Sequence, residues 1–126
     1  MQSTQLASKI LIVEDDLDFL RPLKIGLKLE RFEVDAFQNP VQAVSEFSKG
    51  KYDLALIDTR LPVMDGITLS KELLKIDPDL KICFVSAYSD TREKMRQIPA
   101  LSHSFYIRKP ITVSELIAKF RHVLPR

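Results

Sequence analysis

Short apolar runs alternate along this chain with longer stretches that have the hydrophobic spacing of helices. Five of the runs have the length and composition of strands, and the first is almost wholly apolar, as a strand buried on both faces is. The predicted strands are Lys9–Val13, Glu33–Phe37, Leu54–Ile57, Lys81–Val85 and Phe105–Ile107. Strands that alternate with helices predict a parallel sheet with right-handed crossovers and helices on both faces.

Each predicted strand is followed by a predicted helix. The helices are expected at Leu17–Leu29, from Pro40 to a stop at Gly50, at Gly66–Ile76, at Thr91–Ile98 and at Val113–Val123. Pro22 removes one backbone hydrogen bond from the first helix, and Thr112 and Glu115 have the spacing of a capping box before the last. The predicted fold class is therefore α/β, with five strand–helix units in a doubly wound sheet.

The second helix has the clearest signal for its start. Asn39 is suited to cap it, and Pro40 occupies the first position, where a missing N–H costs nothing. The inner face of this helix is predicted to contain Val41, Val44 and Phe47, with Ala43 beside them. Gly50 is expected to end the helix, because glycine readily adopts the left-handed conformation that closes helices.

The chain has the length of one domain. Its 126 residues, of 14.5 kDa, are 45% apolar, which is ordinary for a globular protein. We assign residues 9–126 to this domain and expect residues 1–8 to form a flexible N-terminal segment. The net charge of +2, with acids and bases intermixed, gives no reason to expect binding to nucleic acid or to membranes.

The single cysteine and the lack of long apolar stretches narrow the class of protein further. Cys83 lies in an apolar strand, so it is expected to be a small buried side chain rather than part of a disulfide framework. No stretch approaches a membrane span of about 20 apolar residues, and the first eight residues contain no signal-peptide core. A cytoplasmic location is the default expectation.

Acidic side chains follow two of the predicted strands. Glu14, Asp15 and Asp16 come directly after the first strand, and Asp58 comes directly after the third. The carboxyl ends of parallel strands form the ligand crevice of open α/β sheets, so these groups are expected to converge. Asp16 has a simpler role as a helix cap. Two carboxylates about 4 Å apart repel by roughly 4 kcal/mol near a protein surface, so the other three acids predict a Mg²⁺ site.

A hydroxyl group and an ammonium group follow the fourth and fifth strands. Ser86 is suited to donate to an anionic oxygen, although a serine here is also common in turns. Lys109 precedes Pro110, and a cis bond between them would aim the ammonium group at the acids. With Asp58 as nucleophile and a cation that neutralises charge, this set suits phosphoryl transfer to a carboxylate.

Five motifs in this order resemble the response-regulator receiver domain of two-component signalling. The resemblance extends over residues 8–124, which is nearly the whole chain. The motifs are Ile10–Asp16, Leu56–Asp58, Leu61–Gly66, Val85–Ala87 and Tyr106–Pro110. The resemblance implies a flavodoxin-like sheet in the order 2-1-3-4-5 and the function of a phosphoacceptor switch.

The resemblance also implies a role for each acidic residue. Asp58 would accept a phosphoryl group from a phosphohistidine of a sensor histidine kinase, and the domain itself would catalyse this transfer and the later hydrolysis. Mg²⁺, with Mn²⁺ as the alternative cation, would be bound directly by Asp15 and Asp58. Glu14 would bind it through water, and Arg60 through its backbone carbonyl.

The remaining site residues belong to the implied switch. Ser86 and Lys109 would hold the phosphoryl oxygens, and Tyr106 would turn inward when Ser86 moves toward the phosphate. This motion would change the surface formed by the fourth helix, the fifth strand and the fifth helix. Through that surface the domain would regulate a downstream protein, whose identity the sequence does not give, or form a homodimer.

Residues 99–104 depart from the resemblance, because many family members have a Gly-Ala pair and acids in this segment. Partner choice and dimer mode therefore stay open, and His103 within the segment is expected to be an ordinary loop residue. Arg60 and Tyr88 flank the predicted site, and we hypothesise that their bulky side chains shield an acyl phosphate on Asp58 from water.

Three other functions stay open. A pseudo-receiver would keep the fold as a protein-binding module without the chemistry. A phosphatase or phosphotransferase with an aspartyl nucleophile usually has a second aspartate where this chain has Arg60. A nucleotide- or flavin-binding protein would need a glycine-rich loop where the first strand is followed by acids.

Overall fold

Five parallel strands and five α-helices form the computed structural model, which describes residues 7–88 and 90–124. The strands are β1 (Lys9–Val13), β2 (Glu33–Phe37), β3 (Leu54–Asp58), β4 (Lys81–Ser86) and β5 (Phe105–Arg108). The helices are α1 (Leu17–Leu29), α2 (Pro40–Glu46), α3 (Gly66–Ile76), α4 (Thr91–Arg96) and α5 (Val113–Val123). The sheet order β2-β1-β3-β4-β5, parallel throughout, confirms the predicted fold class.

The sheet separates two apolar layers, because successive side chains of a strand point to opposite faces. One layer joins the sheet to α1 and α5, and its fully buried members include Ile10, Ile12, Leu23, Leu27 and Leu116. The other layer joins the sheet to α2, α3 and α4, and its fully buried members include Leu11, Ala55, Leu69, Leu73 and Phe84. Both faces of the central strands are therefore covered, as the unbroken apolar runs predict.

Cys83 lies in the layer next to α1 and α5 and is 3% exposed. Burial raises the pKa of its thiol to about 12, and the charge of Lys119 opposes this only weakly. The thiol is therefore protonated at neutral pH and serves as a small apolar side chain, which confirms the sequence prediction.

The second helix is shorter than its sequence pattern indicates. It ends at Glu46 rather than near Gly50, because Phe47 has an extended backbone and stacks its ring on Tyr52, 5.8 Å between ring centres. Gly50 lies in the loop that follows, with a positive φ of 78°. The predicted inner face is confirmed at Ala43 and Phe47, which are buried, but is wrong at Val41, which is 48% exposed; Pro40 is buried as well.

Most of the other element boundaries match the prediction, and four differ from it by one or two residues. The fourth helix ends at Arg96 rather than at Ile98, because Ile98 precedes Pro99 and has an extended backbone. Strands β3, β4 and β5 each run one residue further than predicted, to Asp58, Ser86 and Arg108. Asp58 and Ser86 are thus held by the sheet itself rather than by a loop.

The predicted flexible segment, residues 1–8, lies outside the described residues except for residues 7 and 8. Among the described residues, no helix is both long enough and apolar enough to span a membrane.

Candidate functional site

The carboxyl edge of the sheet brings together residues from four segments of the chain. Asp58 is paired with Val85 across β3 and β4, so it lies one residue from the end of the neighbouring strand. Glu14 and Asp15 follow β1, which is the other neighbour of β3. The backbone N–H of Lys109, after β5, donates to the carbonyl of Ser86 at 2.8 Å. The predicted convergence of strand ends is therefore present.

Three carboxylates form a cluster at this edge. One carboxylate oxygen each of Glu14, Asp15 and Asp58 lies within 4.8 Å of the others. Glu14 and Asp58 are buried, at 1% and 8% exposure, whereas Asp15 is exposed. The Lys109 ammonium group lies 3.0 Å from Glu14 Oε1 and 3.6 Å from Asp58 Oδ2. The four residues thus combine concentrated negative charge with one cationic side chain.

Backbone amides hold the orientation of these carboxylates. Asp58 Oδ1 accepts a hydrogen bond from the Arg60 N–H at 3.0 Å, and Glu14 Oε2 accepts one from the Asp16 N–H at 3.1 Å. Asp16 itself caps α1, with its Oδ1 accepting from the Asp18 N–H at 3.0 Å. The simpler reading of Asp16 as a helix cap is therefore confirmed.

The electrostatics of the cluster depend on the charge that surrounds Glu14. Burial, followed by the neighbouring carboxylate of Asp58, raises the pKa of Glu14 from 4.5 to about 7, against the opposing effects of the Asp16 N–H and Lys109. Burial also lowers the pKa of Lys109, but Glu14, Asp58 and Asp16 outweigh it, so that this pKa is raised. Lys109 is thus positively charged at neutral pH. The acids at this edge would also favour the binding of a further cation.

We expect the metal-free protein to lose stability as the pH rises from about 4.5 to about 7, because Glu14 binds its proton more tightly in the folded than in the unfolded state. At about 1.4 kcal/mol per pKa unit, the loss is roughly 1–3 kcal/mol, with solvent access to the site favouring the lower value. Thermal unfolding across this range, with excess Mg²⁺ and without, measures the effect. Mg²⁺ should raise the melting temperature more at pH 8 than at pH 5.5.

Glu14→Gln should flatten this pH dependence in the metal-free protein, while Glu33→Gln, at the start of β2 and exposed, should leave it as in the parent chain. A slope that persists unchanged in Glu14→Gln would mean that another group titrates in this range.

Two further features describe the surroundings of Lys109. The Lys109–Pro110 peptide bond is cis, as the sequence suggested. The ammonium nitrogen also lies 4.5 Å from the centre of the Phe19 ring on α1, a favourable position for a cation above an aromatic face. Sequence reasoning missed Phe19, because its spacing on α1 marks it only as one more apolar residue.

The Ser86 hydroxyl is bonded to the segment between β4 and α4. Its oxygen accepts from the Tyr88 N–H at 3.0 Å and from the Thr91 hydroxyl at 3.1 Å. The Tyr106 hydroxyl donates to the carbonyl of the same Tyr88 at 3.0 Å. Ser86 and Tyr106 therefore contact the same residue. Sequence reasoning missed Thr91 and Thr59. The position of Thr59, directly after Asp58, could have indicated that its hydroxyl lies near the site.

Two bulky side chains beside the site contact each other. The Arg60 guanidinium lies 3.7 Å from the centre of the Tyr88 ring, so the two predicted flanking residues are stacked on each other.

His103 is an exposed residue in the segment between the 3₁₀ turn at Pro99–Leu101 and β5, as expected of an ordinary loop residue.

The donor set of the cluster fits Mg²⁺. This ion takes carboxylate oxygens in small number and keeps waters for a phosphate ligand. The cluster offers oxygen atoms alone. Burial and the nearby Asp58 carboxylate together raise the pKa of Glu14, and a divalent cation would offset the negative charge of these acids.

The family of the chain follows from comparison with known proteins. The profile of the response regulator receiver domain matches residues 10–121. The chain therefore belongs to the receiver domain family of two-component response regulators. Receiver domains of this family interact with histidine kinases and bind Mg²⁺ at an acidic pocket.

Curated relatives of the chain are themselves response regulators. The transcriptional regulatory protein PcoR of Escherichia coli is 34% identical over 118 residues, which are 94% of this chain and 52% of PcoR. The response regulator receiver protein CpdR of Brucella abortus is 33% identical over 105 residues, 79% of this chain and 88% of CpdR. The chain spans about half the length of the relatives that it matches first, such as PrrA of Mycobacterium tuberculosis, where the share is 54%.

Solved structures have the same fold. The non-phosphorylated HemR receiver domain of Leptospira biflexa is 27% identical and superposes with a TM-score of 0.83, covering 94% of this chain and 97% of that one. The response regulator TrrA of Thermotoga maritima, solved in complex with Mg²⁺ and beryllium fluoride, is 29% identical with a TM-score of 0.76, covering 93% and 99%. These neighbours confirm the flavodoxin-like fold.

Proposed function

We propose that this domain is a phosphoacceptor signalling switch in which Asp58 accepts a phosphoryl group from a sensor histidine kinase or a phosphotransfer protein. The observation that carries the proposal is the meeting of Asp58, two further carboxylates and the Lys109 ammonium group at one edge of the sheet. A buried nucleophile between a cation site and a fixed ammonium group is what phosphoryl transfer to a carboxylate requires.

In the proposed step, a carboxylate oxygen of Asp58 attacks the phosphorus atom of a phosphohistidine. The P–N bond breaks, and the imidazole nitrogen keeps its electron pair and takes up a proton. The Arg60 N–H holds Asp58 Oδ1 at 3.0 Å, which leaves the second oxygen on the side of Lys109. Catalysis of this kind is mostly positioning and charge stabilisation, which a rigid strand end supplies.

A bound Mg²⁺ would neutralise charge on the transferred phosphoryl oxygens. Asp15 and Asp58 would hold the ion directly, Glu14 through water, and Arg60 through its backbone carbonyl. Lys109 and the Ser86 hydroxyl would hold the phosphoryl oxygens. Hydrolysis of the acyl phosphate by water would return Asp58 to its starting state, so the domain would catalyse both halves of the cycle.

The proposed output is a change in the surface made by α4, β5 and α5. Tyr106 lies on β5, and its hydroxyl bonds to the carbonyl of Tyr88, whose N–H bonds to Ser86. A move of Ser86 toward a phosphoryl oxygen would therefore act on Tyr106 through one residue. To change a population from 1:99 to 99:1 requires about 5.5 kcal/mol, which a few charge-assisted hydrogen bonds at roughly 1.5–3 kcal/mol each can supply.

One groove on the proposed output surface is positively charged. It has a volume of about 410 Å³ and is lined by Arg92, Lys119 and His122 together with Phe105, and no acidic residue lines it among the described residues. We therefore expect the downstream partner to present acidic groups here. A homodimer through the same surface is the alternative, and it would have to offset the repulsion between like charges.

A small phosphodonor tests the proposed function. After incubation with acetyl phosphate and Mg²⁺, the intact mass of the protein should increase by one phosphoryl group, and an excess of EDTA should prevent the increase. A protein that gains no mass under either condition would be a pseudo-receiver, which binds partners through the same fold without the chemistry.

Removal of the stacked pair at the rim should shorten the life of the acyl phosphate. Arg60→Ala and Tyr88→Ala would each remove one partner of the stack, and under the shielding hypothesis either change opens the site to water. A cation–π contact is worth about 0.5–1 kcal/mol. If its loss lowers the barrier to attack by water by this amount, dephosphorylation should accelerate roughly two- to fivefold. The decay of the phosphorylated mass after removal of the donor gives the rate.

Arg96→Ala is the matched control, since Arg96 is an exposed arginine on α4 that is not part of the stacked pair. If dephosphorylation in Arg60→Ala and Tyr88→Ala proceeds at the rate of the control, the shielding hypothesis is wrong.

A further inference from the structure

Three buried hydroxyl groups form a chain beside the proposed phosphoacceptor. They belong to Thr59, directly after Asp58, to Thr91, the first residue of α4, and to Ser86, the last residue of β4. None of the three residues is more than 6% exposed. Thr91 Oγ1 lies 3.1 Å from Ser86 Oγ and 3.4 Å from Thr59 Oγ1. The chain of hydroxyls therefore leads from the residue next to Asp58 to the end of β4.

The Ser86 oxygen already receives two hydrogen bonds. The Tyr88 N–H donates to it at 3.0 Å, and the Thr91 hydroxyl donates to it at 3.1 Å. A serine hydroxyl has two acceptor positions and one proton. Because both acceptor positions are filled, the remaining capacity of Ser86 is to donate its proton.

That proton has a weak acceptor within the described residues. The Tyr88 carbonyl oxygen lies 3.5 Å from Ser86 Oγ, which is long for a hydrogen bond between oxygens. The same carbonyl accepts a 3.0 Å hydrogen bond from the Tyr106 hydroxyl. An anionic oxygen that enters beside Ser86 would therefore meet a donor with no strong competing acceptor in the part of the chain that the structure describes.

The number of hydroxyl protons limits which group donates to which. Thr91 has one proton, so when it donates to Ser86, the Thr59 hydroxyl donates to Thr91. In the opposite arrangement Ser86 would donate to Thr91, and its proton would not be free for an anionic oxygen. An anionic oxygen beside Ser86 favours the first arrangement, because a charge-assisted hydrogen bond is about twice as strong as a neutral one.

We infer that Thr91 is a positioning residue that orients the Ser86 hydroxyl as a donor to a phosphoryl oxygen on Asp58. Thr59 in turn orients Thr91 through the contact between their hydroxyl groups. This inference rests on the proposed function and extends it to two residues that sequence reasoning did not assign to the site. Both threonines act through the Ser86 hydroxyl, so their effect should require it.

Binding of beryllium fluoride, a mimic of a phosphoryl group on a carboxylate, tests the inference. In excess Mg²⁺, Thr91→Val should weaken this binding about fivefold, the effect of one ordinary hydrogen bond, and Thr91→Ser should restore it. Thr59→Val should give a smaller loss in the same direction. Titration calorimetry measures the affinities, and thermal unfolding of each variant verifies that it is folded.

Ser86→Ala separates positioning from a general structural effect. In that background, Thr91→Val should cause no further loss of affinity. An equal loss with and without the serine hydroxyl, or no loss in the parent chain, would overturn the inference and leave the proposed function intact. A parent chain that neither binds beryllium fluoride nor accepts a phosphoryl group would refute the proposed function and this inference with it.

Discussion

Asp58→Asn is expected to abolish phosphorylation of the chain by acetyl phosphate and Mg²⁺. Asparagine has nearly the shape of aspartate, and its side-chain oxygen can keep the 3.0 Å hydrogen bond from the Arg60 N–H. Its amide group is not a nucleophile for phosphorus under these conditions, and it removes one charge from the carboxylate cluster. Intact-mass measurement should therefore find no phosphorylated form at any time of incubation.

Glu33→Gln provides a control with the same loss of one negative charge. Glu33 is exposed and begins β2, at the edge of the sheet opposite to the site. This variant should be phosphorylated at the rate of the parent chain. A phosphoryl-sized gain that survives in Asp58→Asn would move the acceptor to another residue and would contradict the proposed mechanism.

Gly66→Ala is expected to destabilise the domain by about 4 kcal/mol or more, or to displace Asp58 from its place in the site. A Cβ atom at this position would lie 2.2 Å from the Asp58 carbonyl oxygen and 2.9 Å from the Thr59 Cα atom, both of which are backbone. The Gly66 N–H also donates to the Thr59 carbonyl at 3.1 Å, so helix α3 starts against the end of β3. Backbone atoms cannot rotate away as a side chain can, so the helix or the strand end has to move.

Denaturant unfolding gives the change in stability, and the initial rate of phosphorylation reports the position of Asp58. Gly50→Ala serves as the control, since no atom lies within 4 Å of its added Cβ and only its positive φ opposes the substitution. That variant should lose about 1 kcal/mol and keep its phosphorylation rate. A Gly66→Ala protein with the stability and the rate of this control would show that the contact at β3 is not tight.

The strands and most helix limits could be predicted from the sequence because they depend on local patterns, whereas the order of the strands was implied by the resemblance to receiver domains. Helix α5, for example, begins with the capping box that its sequence predicts, with Thr112 Oγ1 accepting from the Glu115 N–H at 3.1 Å. The end of α2 could not be predicted in this way. It depends on the stacking of Phe47 on Tyr52, which lies beyond the next loop.

The candidate site was predictable for a different reason. Asp58, Ser86 and Lys109 stand at or just after strand ends, and parallel strands bring their carboxyl ends to one edge, so position along the chain translates into position in space. The hydroxyl pair of Thr59 and Thr91 was not predictable, since their contact depends on how α4 approaches β3. No periodic pattern in the sequence encodes that approach.

The placement of the three tyrosines makes the domain a reporter of its own state. The chain contains no tryptophan, so tyrosine dominates its ultraviolet emission over the weaker phenylalanine. Tyr52 is buried and donates to the Asp35 carboxylate at 2.8 Å, near the amino-terminal edge of the sheet, whereas Tyr88 and Tyr106 share a hydrogen bond at the opposite edge. Changes in intrinsic fluorescence should therefore follow ligand arrival in real time without an attached dye, against a steady background from Tyr52.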